Sequence, residues 1–465
     1  DCLLSERQIA DTNFKERCLH AYRFHSPQIC LYPGVREMLL RMREQKKKLG
    51  LITDGRPDGQ QAKIDALKIR DEFDKIIVTD ELGGTSFRKP NPKAFELMAD
   101  WFGASFESMC YVGDNKIKDF DAPEKLGMHS IWYMHYIPIP MKRGVSLGGI
   151  GAMMKMVKVF RRERFDMVQY STPNASLYAA LAAKLAGVPV RLYCQWGMAY
   201  VGFHGIKRVI FKRIEKLVCT LSTWVEPDSF GNLKFSHAEG LYPENKGSVI
   251  WNGSASGVNL NKFDNSQKPV WRAEIRDKYA IPDDAVVFGF VGRITRDKGI
   301  NELLAAFKAF LQKNSGAYLL IVGNPELSAA VDMSLYQWAQ EQAHTIFCGR
   351  TSTVETYLAA MDAYILPSYR EGFGMVVVEA EAMGVPVIVT DIPGPTDAMI
   401  PDETGLVVKK ADVDSLVSAM EALAASPETR QRFGLAAHKL AAEKFEQQRL
   451  FQAILQDRKR LLGEE

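Results

Sequence analysis

Several things are scarce in this sequence. Seven cysteines are spread over 465 residues, at positions 2, 18, 30, 110, 194, 219 and 348, and no two form a CxxC pair. That spacing argues against a disulfide framework and against a zinc site. Reduced cysteines in apolar, core-like surroundings are expected instead, as in Ser108-Met-Cys-Tyr-Val112. No apolar run approaches the roughly 18 residues of a membrane span. The first residues show no basic segment leading into an apolar one, so no secretory signal is expected. Aspartate rather than methionine comes first, which suggests a chain that begins inside a longer reading frame. Charge of one sign is also missing. Fifty-nine Lys and Arg against 56 Asp and Glu leave +3, too little for a dedicated nucleic-acid binder.

What is present is globular material. Hydrophobic residues make up 46% and charged ones 25%, which excludes a disordered chain. The length suits about three domains of roughly 150 residues. Short apolar runs alternate with helical patterns: 48–53, 75–79, 109–112, 130–133, 165–170, 188–193, 286–291, 318–322, 345–347, 363–366 and 386–390. Runs that are apolar on both faces and separated by helices predict buried parallel sheets, an α/β chain. The pattern breaks at 134–146, with two prolines, and at 252–284, a Gly/Ser/Asn-rich then polar stretch. The domains expected are therefore 1–135, 136–265 and 266–465.

In the first third, Thr53 and Asp54 end a strand, Lys89 lies in Phe87-Arg-Lys-Pro, and Asp114 and Asp119 follow a strand in Val112-Gly-Asp-Asn-Lys-Ile-Lys-Asp119. A hydroxyl can hold phosphate oxygens, a lysine can neutralise a phosphoryl group, and two carboxylates past a strand can hold Mg²⁺. Order and spacing resemble motifs II to IV of the haloacid dehalogenase-like hydrolases. The resemblance implies a metal role for Asp114. It also implies an Asp-x-Asp-x-Thr nucleophile segment, which this sequence does not contain; residues 1–30 look like the helical cap that would follow it. Without that carboxylate no aspartyl-phosphate route is expected, and the piece reads as an inactive hydrolase-like fragment.

In the last third, Gly292, Arg293 and Lys298 occupy a loop between a strand and a helix, where cations and a helix N-terminus can grip a diphosphate. Further on, Pro367-Ser-Tyr-Arg-Glu371-Gly-Phe-Gly374-Met-Val-Val-Val-Glu379 sets two glutamates eight apart, with glycines 372 and 374 opening a helix near Gly374. Gly-x-Gly lets backbone approach a ligand, and carboxylates suit sugar hydroxyls. Glu379, among Val376, Val377, Val378 and Ala380, is expected to be buried and paired, and Glu381 to be an exposed helix acid.

From about residue 140 to 460 the chain resembles the family 4 retaining glycosyltransferases of the GT-B fold. Trp251-Asn-Gly253 with Gly257-Val-Asn-Leu, Ile-Val-Gly323, Phe-Cys-Gly349 and Leu-Pro367-Ser add to the match. The expected architecture is a GT-B-like pair of Rossmann-type domains, the N-terminal one incomplete, after the hydrolase-like α/β fragment. The resemblance implies that Arg293 and Lys298 hold the donor diphosphate. Glu371 would bind the transferred sugar, with the backbone of Gly372, Phe373, Gly374 and Met375 beside it, and Glu379 would bind the nucleotide ribose. It implies metal-independent transfer from a nucleotide-sugar, UDP-linked, to a lipid-linked or cell-envelope glycan acceptor. Many members carry a histidine where this chain has Trp196; His204 lies eight residues on. Both modules lack their first strands, so the junction near 134–140 is a fusion, a deletion or an assembly artefact, or else a working chimera.

Residues 136–220 hold 14 Lys or Arg against three acids, Glu163, Asp166 and Glu215. Much of this lies on two amphipathic helices. In 205–218, Ile206, Val209, Ile210, Ile214, Leu217 and Val218 form one stripe among cations; 153–162 is the other. Such helices suit an anionic membrane surface, so a cytoplasmic enzyme peripheral to the inner face of the plasma membrane is expected. Two other functions stay open: a Mg²⁺-dependent phosphatase, and a non-catalytic fusion that only binds nucleotide.

Overall fold

The computed structural model describes residues 27–31, 34–132, 137–141, 147–326 and 330–464. The cap expected over 1–30 falls, up to residue 26, outside the described residues, as do Cys2 and Cys18. The chain forms two compact units, Asp1–Pro138 and Ile139–Glu465.

The first unit runs α1 (Val35–Glu44), β1 (Gly50–Thr53), α2 (Pro57–Leu67), β2 (Lys75–Val78), α3 (Lys93–Phe102), β3 (Cys110–Gly113), α4 (Lys116–Asp119), α5 (Asp121–Lys125) and β4 (His129–Trp132). Its described strands form two parallel pairs, β1 with β2 and β3 with β4. Ala94, Phe95, Met98 and Ala99 recur at helical spacing and are the buried residues of α3. They pack on Ile52, Ile77 and Tyr111. Only one face of β3 is covered in this way. Cys110 and Val112 point to the open side, so Cys110 is exposed rather than in the core, and Cys30 is exposed as well. Cys194 and Cys219 are buried as expected.

The second unit opens with α6 (Leu147–Glu163), β5 (Met167–Tyr170), α7 (Pro173–Ala186), β6 (Val190–Gln195), α8 (Gly205–Leu221), β7 (Trp224–Pro227) and α9 (Phe230–Ala238). Strands β5, β6 and β7 make a three-stranded parallel sheet. The apolar stripe of α8 is not a core stripe: only Val218 is fully buried, while Ile206, Val209 and Ile210 are 79%, 50% and 51% exposed. The helix packs through its later turns on α7 and β6; in its first two turns Phe211 packs on Phe203 and Arg208 and Lys212 pair with Glu239, while Ile206, Val209 and Ile210 stay exposed.

There follow α10 (Lys268–Lys278), β8 (Val287–Val291), α11 (Ile300–Leu311), β9 (Tyr318–Val322), α12 (Met333–Glu341), β10 (Thr345–Gly349), α13 (Val354–Ala360), β11 (Ala363–Leu366), α14 (Met375–Ala382), β12 (Val387–Thr390), β13 (Gly405–Val408), α15 (Val413–Ala425), α16 (Pro427–Lys444) and α17 (Gln447–Leu462). The six strands are parallel in the order β10-β9-β8-β11-β12-β13. Alternate strand residues feed opposite layers. Val287, Leu320, Tyr364 and Val387 meet helices on one face; Phe288, Leu319, Ile365 and Ile388 meet Leu303, Phe307 and Leu416 on the other. The order runs outward from β8 to β10 and then restarts beside β8 with β11. The crevice at the carboxyl ends of β8 and β11 is therefore the topological switch point where such sheets bind ligands. The last helix, α17, returns to the smaller sheet: Arg458 grips Glu226 of β7 at 2.5 and 3.0 Å.

Glu381 corrects an expectation. It is fully buried, because α14 is sandwiched between the sheet and α16. Neither carboxyl oxygen meets a donor at hydrogen-bonding geometry among the described residues. Burial holds the carboxyl well above its ordinary range, with Thr404 offsetting little. Below the ordinary carboxylate pKa both folded and unfolded chains carry the proton. Above it only the unfolded chain releases it, so wild-type stability falls by about 1.4 kcal/mol per pH unit until the folded group titrates. Glu381→Met is expected to raise the melting temperature at pH 8 and to change it little at pH 4, as read by thermal unfolding at both.

Candidate functional site

Loops after β8 and β11 meet at the switch point, and their sequences brace one another. The Tyr369 N–H donates to the Asp297 carbonyl at 2.9 Å, Arg370 pairs with Asp297 at 3.0 Å, and the Tyr369 hydroxyl donates to Glu302 at 2.7 Å. Gly299 adopts φ +74°, and a Cβ there would overlap the Pro367 carbonyl oxygen. Only glycine lets the two loops approach this closely.

This bracing brings Lys298 to Glu371. The Lys298 ammonium donates to Glu371 Oε1 at 2.6 Å, and the Ser368 hydroxyl donates to the same oxygen at 2.7 Å. Arg293 stands apart on the loop, exposed and paired with Glu326 at 2.8 Å. Glu371 precedes α14, which starts at Met375 with Gly374 left-handed at its cap. Among the described residues, the N–H groups of Gly372, Phe373 and Gly374 have no acceptor. Glu379 is half-buried on the first turns of the same helix. The pairing expected for it is absent among the described residues; its nearest charged groups are Lys262 and Glu355, which pair with each other. Burial pushes the Glu379 carboxyl up to about 7, Lys262 partly offsetting the rise and Glu355 adding to it.

From the smaller sheet, the turn after β6 reaches the donor-side loop. The Trp196 and Gly197 backbones lie against Gly372, and the Trp196 side chain is 42% exposed. His204 is exposed at the start of α8. Sequence reasoning missed Asp228, at the end of β7. It is buried against Gly372, and burial pushes its carboxyl up to about 7; Asn232 pulls it down, while Glu371 and Asp397 add to the rise. The available signal was Asp228-Ser-Phe-Gly-Asn232 after a four-residue strand whose central Glu226 disguised it.

The first unit assembles its own cluster. Lys89 pairs with Asp119 at 2.8 Å and donates to the Tyr111 hydroxyl at 2.8 Å. Asp119 also accepts the N–H groups of Asp114 and Asn115, and Asp54 accepts from the Thr79 hydroxyl and the Lys89 N–H. The Thr53 hydroxyl donates to Gln60. Mg²⁺ needs several open carboxylate oxygens, yet among the described residues no group of three or more His, Cys, Asp or Glu is placed to hold a metal ion. Asp119 is committed to Lys89 and the backbone, so among the described residues that carboxylate is not open to the ion.

Comparison with known proteins follows this division. Residues 272–440 match the family described as "Glycosyl transferases group 1", 123–225 match "Glycosyl transferase 4-like", and 5–133 match "Haloacid dehalogenase-like hydrolase". A capsular polysaccharide biosynthesis glycosyltransferase, CapM, of Staphylococcus aureus is 30% identical over 320 residues, covering 68% of this chain and 82% of that protein. The chain belongs to the group 1 glycosyltransferases. A UDP-Gal:alpha-D-GlcNAc-diphosphoundecaprenol alpha-1,3-galactosyltransferase of Escherichia coli is 24% identical, over 60% of this glycosyltransferase and 71% of its own length. Among solved structures, Anabaena HepE in complex with UDP superposes with TM-score 0.57 at 18% identity, covering 88% of this chain and 99% of that one. That likeness shows the GT-B fold.

Gly299→Ala in this glycosyltransferase forces a left-handed alanine, costing about 1–2 kcal/mol, and separates the two loops. Urea denaturation is expected to show at least that loss, and calorimetric titration a weakened affinity for UDP.

Proposed function

We propose that this enzyme transfers a sugar, with retention, from a UDP-linked donor to a lipid-linked or cell-envelope glycan acceptor. The observation that carries the reading is the Lys298–Glu371 pair held at the switch point below unpaired backbone N–H groups. In this reading Lys298 and Arg293 stabilise the charge that grows on the departing diphosphate, helped by helix N-termini. Glu371 orients the transferred sugar through its hydroxyls, with the backbone of Gly372 to Met375 alongside. Glu379, unpaired in the cleft, accepts from the ribose. Residues 266–465 serve the donor and 136–265 the acceptor, with no cofactor beyond the nucleotide-sugar. CapM and the diphosphoundecaprenol-dependent relative support the acceptor class, and the UDP of HepE supports the nucleotide. The haloacid dehalogenase-like residues 1–135 carry no turnover of their own in this reading.

A panel of UDP-sugars is expected to raise the melting temperature, and Lys298→Ala to lower kcat by about 10²-fold. The reading fails if no UDP-sugar shifts the melting temperature. Because an ionised Glu379 accepts ribose hydroxyls best, affinity for the UDP-sugar is expected to rise with pH through about 7. Glu379→Gln should flatten that dependence, as read by calorimetry.

We further propose that α6 and α8 rest on an anionic membrane at the cytoplasmic face. No described helix is long and apolar enough to cross a membrane. The exposed Ile206, Val209 and Ile210 stand among Lys207, Arg208, Lys212 and Arg213, which suits surface binding. Phosphatidylglycerol vesicles should sediment the protein at low salt and release it at about 1 M salt. Ile206→Asp should weaken the association, and absence of sedimentation at low salt would refute it.

A further inference from the structure

The segment Asp228-Ser-Phe-Gly-Asn232 crosses the cleft. Ser229 caps α9, its hydroxyl accepting the Asn232 N–H at 3.0 Å. The cap fixes the first turn, whose remaining N–H groups have no partner within the helix. One of them, on Gly231, donates to the Asp397 carboxylate at 3.0 and 3.2 Å. A Cβ on Gly231 would collide with that carboxylate and crowd Pro393, so the approach depends on glycine. Asp397 also accepts the Gly394 N–H at 3.1 Å, on the loop packed against Gly372. The Asn232 amide donates to the Gly372 carbonyl at 2.6 Å and to Asp228 Oδ1 at 3.3 Å.

These bonds join the three-stranded sheet's side of the cleft to the donor loop. A peptide unit is planar and trans, so its N–H points opposite to its C=O. Whatever fixes the Gly372 carbonyl therefore also aims the Phe373 N–H, one of the three that have no acceptor among the described residues. The carbonyl is held from the α9 side, so the Phe373 N–H is directed away from α9.

We propose that Asn232 is a positioning residue: with Gly231 and Asp397 it latches the two halves of the cleft and sets the Gly372–Phe373 peptide for the donor. The latch rests on the functional reading above, in which that backbone lies beside sugar and diphosphate. It makes the geometry of the donor loop depend on the acceptor half being in place.

The experiment is steady-state kinetics of UDP-sugar turnover with the full chain, alongside UDP titration and thermal unfolding. Asn232→Ala is expected to lower kcat about tenfold, the scale of one hydrogen bond. KM and UDP affinity should stay within about twofold, and the melting temperature should be close to wild type. Asn232→Ser keeps a polar residue on the first turn but cannot reach the carbonyl, and carries the same expectation if the alanine variant folds poorly. Asp397→Asn retains an acceptor for the Gly231 N–H and should recover most of the activity that Asp397→Ala loses. A double variant, Asn232→Ala with Asp397→Ala, should cost less than the product of the singles, since both break one latch. Unchanged kcat in Asn232→Ala or Asn232→Ser, while the wild type turns over UDP-sugar, overturns the latch. A wild type that neither binds nor turns over any UDP-sugar overturns the functional reading itself.

Discussion

Reversal of strand order beside β8 is the constraint on which the donor half depends. Parallel strands joined by helices place every strand-to-helix loop at the same edge. Where the order turns back, neighbouring loops leave on opposite sides and open a crevice. Here the two loops are those after β8 and β11. The first brings Lys298, the second Glu371, and Gly299 against Pro367 sets their separation. Helix α14 starts directly behind the second loop, so its free N–H groups and Glu379 face the same space. The chemistry is thus distributed over residues 73 positions apart in sequence, Lys298 and Glu371, in loops that follow strands adjacent in the sheet.

The charge balance around that crevice is unusual. Asp228, Glu371, Glu379 and Asp397 crowd it with carboxyl groups. Burial and mutual repulsion lift Asp228 to about 7, and burial lifts Glu379 as far. Among the described residues, Lys298 is the cation that forms an ion pair with one of these carboxylates, and its pairing with Glu371 keeps both in fixed positions. On the proposed reading an incoming diphosphate competes for the lysine while the sugar hydroxyls replace it on the glutamate. The protein then exchanges one charge-assisted contact for two, without rearranging the backbone.

Legibility in the sequence followed the range of the interactions. The loop residues 292–298 and 371–379 were readable because each lies just past an apolar run, with glycines marking the turn. The helix start at Gly374 and the α/β alternation were readable for the same reason. Asp228, Asn232 and Asp397 were not, because their partners lie 140 to 166 residues away. Glu381 misled because Glu-Ala-Glu-Ala reads as a polar helix face. Its burial follows only from α16 packing on the other side of α14. Cys110 misled in the opposite sense: an apolar run predicts a covered strand, but the described residues pack on only one face of β3.

The same logic accounts for the exposed apolar turns of α8. A stripe of Ile and Val normally marks the face that fixes a helix to its sheet. In this helix only Ile214 and Val218 of the stripe pack on the core, and Glu215 adds to them: it is buried and accepts from the Tyr193 hydroxyl at 2.8 Å and the Gln195 amide at 2.7 Å. Gln195 accepts in turn from Ser236 and Tyr242. Burial raises the Glu215 carboxyl, and the two donors from β6 pull it back, so the carboxyl is satisfied only while α8 stays in register with β6. A directional network of this kind, with Ile214 and Val218 packed on the core, holds the helix through its later turns without its earlier apolar residues. Ile206, Val209 and Ile210 are thereby left free to meet a surface outside the fold, while the strand end that carries Trp196 into the cleft is held by the same network of side chains.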